Sequence, residues 1–172
     1  MHELLERNAS RAPDSTFMFS ESRTITNREA SELVQAAAAG FRSLGVRKGD
    51  RVLIFAPNSV EYVIAMFAAF KLGAIAALID VLNPKSYHRS VGHLAPKLVI
   101  STSTHIEELQ RSGRKVKFVS FDDGSRRAHS WRSLLDSPQS FMRQEFKEDT
   151  PCHLSFTSGT TYEPKPAVLM HE

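Results

Sequence analysis

Three observations predict an α/β fold for this 172-residue chain, with a mainly parallel sheet flanked by helices. Short strand-like runs recur at 51–56, 74–80, 97–101 and 115–121, and the run at 51–56 has few polar residues, as a strand inside a parallel sheet requires. Segments of helical period stand between these runs. The resulting strand–helix–strand series arranges itself as a right-handed, mostly parallel sheet. At this length the chain is one domain, or one piece of a larger one, and buries a real core.

Before the first parallel strand, "STFMFS" and "RTIT" within 15–26 read as two short strands about a polar turn at Glu21-Ser22. Thr26 opens a helix, with Glu29 three residues on as its capping-box partner. Ala30, Leu33, Val34, Ala37, Phe41 and Leu44 follow at steps of three and four and share one face. Gly45 ends that helix as a left-handed cap. After the strand at 51–56, Asn58 and Glu61 repeat the capping signature and start a helix through Leu72. It is apolar nearly all round, so it belongs between layers rather than at the surface. "AIAALID" is the next strand, and Asn83-Pro84 turn the chain into a helix near Lys85–Leu94. "KLVIS", a short helix around His105–Gln110 and "KVKFVSF" continue the alternation. From Asp122 to Thr150 the pattern loosens: "DDGSRR" is a turn, "SWRSLLD" a short helix, and Trp131 a packing residue. "CHLSFT" at 152–157 is again a strand.

Composition excludes several classes. Hydrophobic residues make up 41% and charged residues 24%, which is globular rather than disordered. The net charge is +3, and basic residues come in short groups at 47–51, 111–117 and 126–127. No aromatic residues interleave with them, so solvated loops and helix ends account for them better than nucleic-acid contact. The single cysteine, Cys152, rules out an intrachain disulfide and suits a reducing compartment. Its neighbour His153 points to the opposite face of a regular strand, which makes Cys152 a structural residue rather than half of a thiolate pair. The N-terminus lacks an apolar signal region. Residues 62–82 are long enough to span a bilayer, but Lys71, Gly73 and Asp80 interrupt them, and a buried helix followed by a buried strand explains the run. No transmembrane segment is expected, and the expected location is cytoplasmic.

The most chemical stretch is "TSGTTYEPK", which follows the strand at 152–157. Gly159 leaves room for backbone N–H groups to converge on one anion. Thr157, Ser158, Thr160 and Thr161 add hydroxyl donors, and Lys165 adds a mobile point charge suited to a terminal phosphate or departing pyrophosphate. The G-x-x-x-x-G-K-[ST] loop of nucleoside triphosphatases is excluded, because Pro164 stands at its second glycine and Pro166 at its hydroxyl position. An ordinary hydroxyl-rich loop between strands is the bland alternative.

"FTSGTTYEPKPAVLMHE" closely resembles the phosphate-loop signature of the AMP-forming, adenylate-forming superfamily of acyl-CoA synthetases, adenylation domains and luciferases. That signature runs [YF]-T-S-G-[TS]-T-G-x-P-K-G-[VA] with a histidine a few residues on. The resemblance extends through "LGVRKGDRV", "PNSVEYVIAMFAAFKLGA" and the later "NP", and covers essentially the whole chain. It implies that Thr157, Ser158, Gly159, Thr160 and Thr161 embrace the β- and γ-phosphates of ATP carried with Mg²⁺, and that Lys165 handles phosphate and pyrophosphate. His171 matches the histidine beside the acyl pocket, and capping a strand is its equally simple structural role. The chain itself offers no metal site and no complete catalytic set.

Two departures matter. Tyr162 and Pro166 stand where the family has glycine, and both oppose the positive φ and close backbone passage that glycine permits. The family's adenine and ribose contacts, its magnesium-binding glutamate and its C-terminal domain with a catalytic lysine have no counterpart in these 172 residues. The resemblance therefore implies the N-terminal part of a larger ligase, residues 1–172, with the phosphate loop at 157–165. Its substrate would be a fatty or other carboxylic acid, and coenzyme A the acyl acceptor. The chain alone is expected to be inactive, with apolar surface near Leu154–Phe156 and Ala167–Met170 that favours self-association. The rival reading is a naturally short, non-catalytic α/β module that binds a partner or nucleotide.

Overall fold

The computed structural model describes residues 2–20, 23–79, 81, 94–110, 116–136, 150–156 and 166–171. In chain order the elements are α1 (His2–Arg11), β1 (Thr16–Phe19), β2 (Thr24–Thr26), α2 (Asn27–Ser43), β3 (Arg51–Phe55), α3 (Val60–Lys71), β4 (Ile75–Leu78) and β5 (Leu98–Ser101). There follow α4 (Ser103–Gln110), β6 (Lys117–Ser120), β7 (His129–Ser130), α5 (Trp131–Leu135), β8 (Pro151–Phe156) and β9 (Pro166–Met170). Strands β1 and β2 pair antiparallel as a separate ribbon. The other seven form one sheet in the order β7-β6-β5-β3-β4-β8-β9, parallel throughout except for the antiparallel edge strand β9.

Burial on both faces follows from the side-chain alternation of each strand. Val52 and Ile54 of β3 face a cluster built with Val34, Phe41, Ile64, Phe70 and Trp131 from α2, α3 and α5. Leu53 and Phe55 face the other way, onto Ile106 and Leu109 of α4. The chain thus lays α2, α3 and α5 on one face of the sheet and α4 on the other.

The caps explain where the helices start. Thr26 Oγ1 accepts from Glu29 N, and Glu29 Oε2 accepts from Thr26 N at 2.7 Å, closing the expected capping box on α2. Ala30, Val34, Ala37 and Phe41 are buried, and Gly45 ends the helix at φ +93°. The start of α3 differs from expectation by one residue. Ser59, not Asn58, is the N-cap, and its hydroxyl accepts from Tyr62 N. Glu61 therefore falls at the second helical position, out of register for a capping box; two adjacent polar residues compete for the cap, and the local sequence does not rank them. No residue of α3 is exposed, as its all-round apolar character requires.

Helix α1 was not legible, since "HELLERNASR" offers only Leu4 and Leu5 as apolar anchors. Tertiary contact supplies the rest. Leu5 is buried, and the Glu6 carboxylate accepts a hydrogen bond from Lys71 Nζ at the end of α3. That pairing lets a lysine sit 8% exposed in the middle of the apolar 62–82 run. Among the described residues no helix is long and apolar enough to cross a membrane. The expected turn at Glu21-Ser22 and nearly all of the expected helix near Lys85–Leu94 lie outside the described residues.

Candidate functional site at the carboxyl edge of the sheet

Strands β3 to β8 are parallel, so their carboxyl ends share one edge, and the loops leaving them are where such sheets carry their chemistry. The chain goes from β3 outward to β4, then returns to β5 on the other side of β3 and continues to β6. The topological switch therefore falls between β3 and β5. It lies between the starts of α3 and α4, which pack on opposite faces.

The residues at this switch are polar and mutually satisfied. Ser101 Oγ donates to the carbonyl of Phe55 across the two strands. Thr102 Oγ1 lies 2.9 Å from His105 Nδ1, and the His105 ring meets Phe55 edge-on at 5.0 Å. Asp122, just past β6, accepts from Ser103 N (2.9 Å), Ser103 Oγ (2.9 Å) and Ser120 Oγ (2.6 Å). Burial alone would raise its pKa. The bonds from Ser120, Ser103 and Gly124 outweigh that and hold the carboxyl at about 2. It is ionised at neutral pH and ties β6 to the first turn of α4. A polar residue directly after each apolar strand was the available signal for this group, and sequence reading had not assigned it a role.

Strand β8 ends at the same edge, beside β4, in the register Ala76↔His153, Ala77↔Leu154 and Leu78↔Ser155. Its partner β9 runs back antiparallel, with Phe156 opposite Pro166. The ends of β8 and β9 at Phe156 and Pro166 thus meet at that edge, and residues 157–165 lie between them in sequence. Thr157, Ser158, Gly159, Thr160, Thr161 and Lys165 themselves lie outside the described residues. Pro166 opens the edge strand, as the first residue of an edge strand tolerates proline.

His171 is at the other end. It directly follows β9, its N–H donates to the Thr150 carbonyl at 2.9 Å, and five residues of strand, about 17 Å, separate it from Pro166. It is 5% exposed and its ring meets Phe70 at 6.1 Å. His171 thus makes a strand-ending contact through its backbone N–H.

His153 lies 6.4 Å from the same Phe70 ring. The Cys152 side chain belongs to the same core cluster as Phe70. Adjacent residues therefore both reach the α3 side, which corrects the expectation of strict alternation: a register irregularity between Pro151 and His153 breaks the pleat. Burial raises the Cys152 thiol pKa and leaves it a structural residue. Burial also lowers the pKa of His153, whose Nε2 is enclosed without a hydrogen-bond partner among the described residues.

A separate cavity of about 210 Å³ lies between α2, α3 and α5, floored by Leu33, Ile64 and Trp131 with Arg23, Glu61 and Arg132 among its walls. Trp131 also packs on Phe41 (6.3 Å) and Phe121 (5.0 Å), the role expected of it.

The arrangement of a parallel α/β sheet with a hydroxyl- and lysine-bearing hairpin at its carboxyl edge has a family match. Residues 5–172 match the AMP-binding enzyme family. The chain belongs to that family. Among curated relatives, 4-coumarate–CoA ligase 2 of Oryza sativa subsp. japonica is 28% identical over 191 residues, covering 99% of this chain and 34% of that protein. L-Proline–[L-prolyl-carrier protein] ligase of Pseudomonas fluorescens is 28% identical over 173 residues, covering the same shares. The crystal structure of an anthranilate CoA ligase in complex with anthranoyl-AMP superposes with a TM-score of 0.91 at 26% identity, over 99% of this chain and 34% of that one. The AMP-binding family here is one of adenylate-forming ligases, and the chain spans about a third of the length of the curated relatives it matches.

Proposed function

We propose that residues 1–172 form the N-terminal, phosphate-handling part of an ATP-dependent ligase. In this reading a carboxylate oxygen attacks the α-phosphorus of ATP, the bond to the bridging oxygen breaks, and pyrophosphate leaves. The acyl group of the adenylate then passes to a thiol, that of coenzyme A. What supports the proposal is the family match of residues 5–172 together with the sequence 157–165, whose hydroxyls, glycine and lysine stand between β8 and β9 in the chain.

Each residue has a chemical role. Thr157, Ser158, Thr160 and Thr161 donate to β- and γ-phosphate oxygens, and Gly159 admits the phosphates close to the backbone. Lys165 neutralises charge gathering on the departing pyrophosphate, where a fixed cation stabilises the transition state more than the ground state. Mg²⁺ would enter with ATP, shielding its phosphate charge. His171 is proposed to border the acyl pocket, where it is buried beside Phe70. The substrate is a fatty or other organic acid, in line with the aromatic and amino acids that relatives' names carry. The compartment is the cytoplasm.

A few charge-assisted hydrogen bonds of ~1.5–3 kcal/mol each must offset an association cost of ~4–15 kcal/mol. The isolated chain should therefore hold ATP no tighter than ~1 mM. It should also form no adenylate, because the remaining groups are not positioned by it. The test is carboxylate-dependent exchange of labelled pyrophosphate into ATP over fatty and aryl acids. A longer gene product carrying these residues should show exchange that Lys165→Ala abolishes, while the 172-residue chain shows none. Exchange by the chain alone refutes the inactivity. Absence of exchange in the longer product, or a native stop codon after Glu172, favours the second reading. That reading is a short non-catalytic module, and Tyr162 and Pro166 at glycine positions speak for it.

A further inference from the structure

The cavity between α2, α3 and α5 plays no part in the ligase reading. Phe121, in its wall, directly follows β6, and four strand spacings separate β6 from β8 across the sheet, about 19 Å. The space therefore stands apart from the strand that leads into residues 157–165. Its volume of about 210 Å³ lies below the ~300 Å³ at which pockets for drug-sized ligands begin, so it suits a compact metabolite and not a nucleotide.

The walls divide by chemistry. Leu33 of α2, Ile64 of α3, Phe121, and Trp131 and Leu135 of α5 form an apolar surface, with the Phe121 ring edge-on to Trp131 at 5.0 Å. Ile64 and Trp131 are buried, so core packing sets this floor. Around it stand Glu61 of α3, Arg132 of α5, Arg23 and Asp123. Among the described residues these four charged side chains form no ion pair, with one another or with any other group. Arg23 feels the charge of Glu29, whose carboxylate is already bonded to Thr26. Glu61 lies in the first turn of α3, where the helix dipole favours a carboxylate. Opposite charges that line one cavity without reaching each other leave a gap that a ligand's own charges complete.

We propose that this cavity binds a free amino acid with an apolar side chain. Arg132 takes the α-carboxylate, for which a guanidinium offers a planar pair of donors. Glu61 takes the α-ammonium, and the ligand's side chain lies against Trp131, Phe121 and Ile64. Other classes fit less well. A simple anion or cation satisfies one wall and meets a like charge at the other. A wholly apolar molecule desolvates the charged walls and returns nothing to them. A zwitterion with an apolar body matches both walls and the floor. Binding here needs neither ATP nor the groups proposed to hold phosphate, so it stands or falls separately from the ligase reading.

Trp131 is the single tryptophan of the chain, so its fluorescence reads the cavity directly. The 172-residue chain is titrated with L-phenylalanine, with 3-phenylpropionate, which lacks the ammonium, and with phenethylamine, which lacks the carboxylate. The expected result is a saturable change in Trp131 emission, with L-phenylalanine at least about tenfold tighter than either analogue, the worth of one charge-assisted hydrogen bond. Arg132→Gln should weaken L-phenylalanine about tenfold and leave phenethylamine unchanged. Glu61→Gln should weaken L-phenylalanine by a similar factor and leave 3-phenylpropionate unchanged. No saturable change with L-phenylalanine overturns the proposal. So does an analogue that binds as tightly, or L-phenylalanine binding that neither variant weakens. Circular dichroism separates lost binding from lost fold, and if a variant unfolds the analogue series on the parent chain still decides.

Discussion

Replacing Gly40 by alanine sets helix propensity against packing, and the structure decides which wins. Gly40 lies in the last turns of α2, where alanine is favoured over glycine by about 1 kcal/mol. A β-carbon there would stand 2.2 Å from Leu134 Cδ2 and 2.3 Å from Leu134 Cγ, against the ~3.5–4.0 Å of a normal carbon contact. It would also stand 3.0 Å from the Leu134 carbonyl oxygen. Turning the leucine side chain does not relieve that last contact, so α5 must shift from α2. Overpacking of this kind costs about 1–3 kcal/mol, and the backbone contact places Gly40→Ala near the upper end. The net expectation is a destabilisation of about 1–2 kcal/mol, or a melting temperature lower by roughly 3–8 °C for a chain of this size. Urea and thermal unfolding followed by circular dichroism read it directly. Leu134→Ala removes the two clashing carbons but keeps the carbonyl, so the Gly40→Ala/Leu134→Ala double variant should recover part of the overpacking cost as a favourable coupling of about 1 kcal/mol. Gly40→Ala as stable as the parent, or a double variant that is simply additive, would refute the reasoning.

Asp122 has a folded pKa of about 2, below the ordinary 3.8, so its stabilising effect is complete above pH 4 and disappears as pH falls towards 2. Because the carboxylate is exposed, the effect is about 1 kcal/mol after solvent screening; urea midpoints of Asp122→Asn and parent should differ at pH 7 and converge near pH 2. His153 is held neutral by burial, so the unfolded chain takes up its proton first and stability should fall as pH drops below about 6.5. His153→Leu should flatten that part of the pH–stability curve, and an unchanged slope would show that the ring is not buried in solution. On the outer strand β9, Val168, Leu169 and Met170 are 45–48% exposed, whereas Leu154 is half-buried against the α4-side cluster, so the sticky surface is narrower than the sequence suggested. Light scattering should show concentration-dependent self-association that Leu169→Lys suppresses, since an edge lysine opposes strand-to-strand pairing.

Much of this molecule is written in local chemistry. The period-2 and period-3.6 apolar patterns of residues 24–78 specify β2 through β4 because each residue's burial there is decided by its own element. Thr26 and Glu29 specify the start of α2 within one turn of chain. The hydroxyls, Gly159 and Lys165 proposed to bind phosphate were legible without any fold, because a phosphate loop draws its donors from consecutive residues. Other features depend on partners distant in sequence. Helix α1 is stable only where Leu5 and Glu6 meet α3, 65 residues on for the Glu6–Lys71 pair. The choice of Ser59 over Asn58 as cap depends on how the chain turns out of β3. His171 stands five residues from Pro166 in sequence, yet an extended strand carries it about 17 Å away. Arg51, Lys97 and Lys117 stand far apart in the chain and look like unrelated loop charges. Only the order β6-β5-β3, which crossover connections impose and no local run encodes, brings them together.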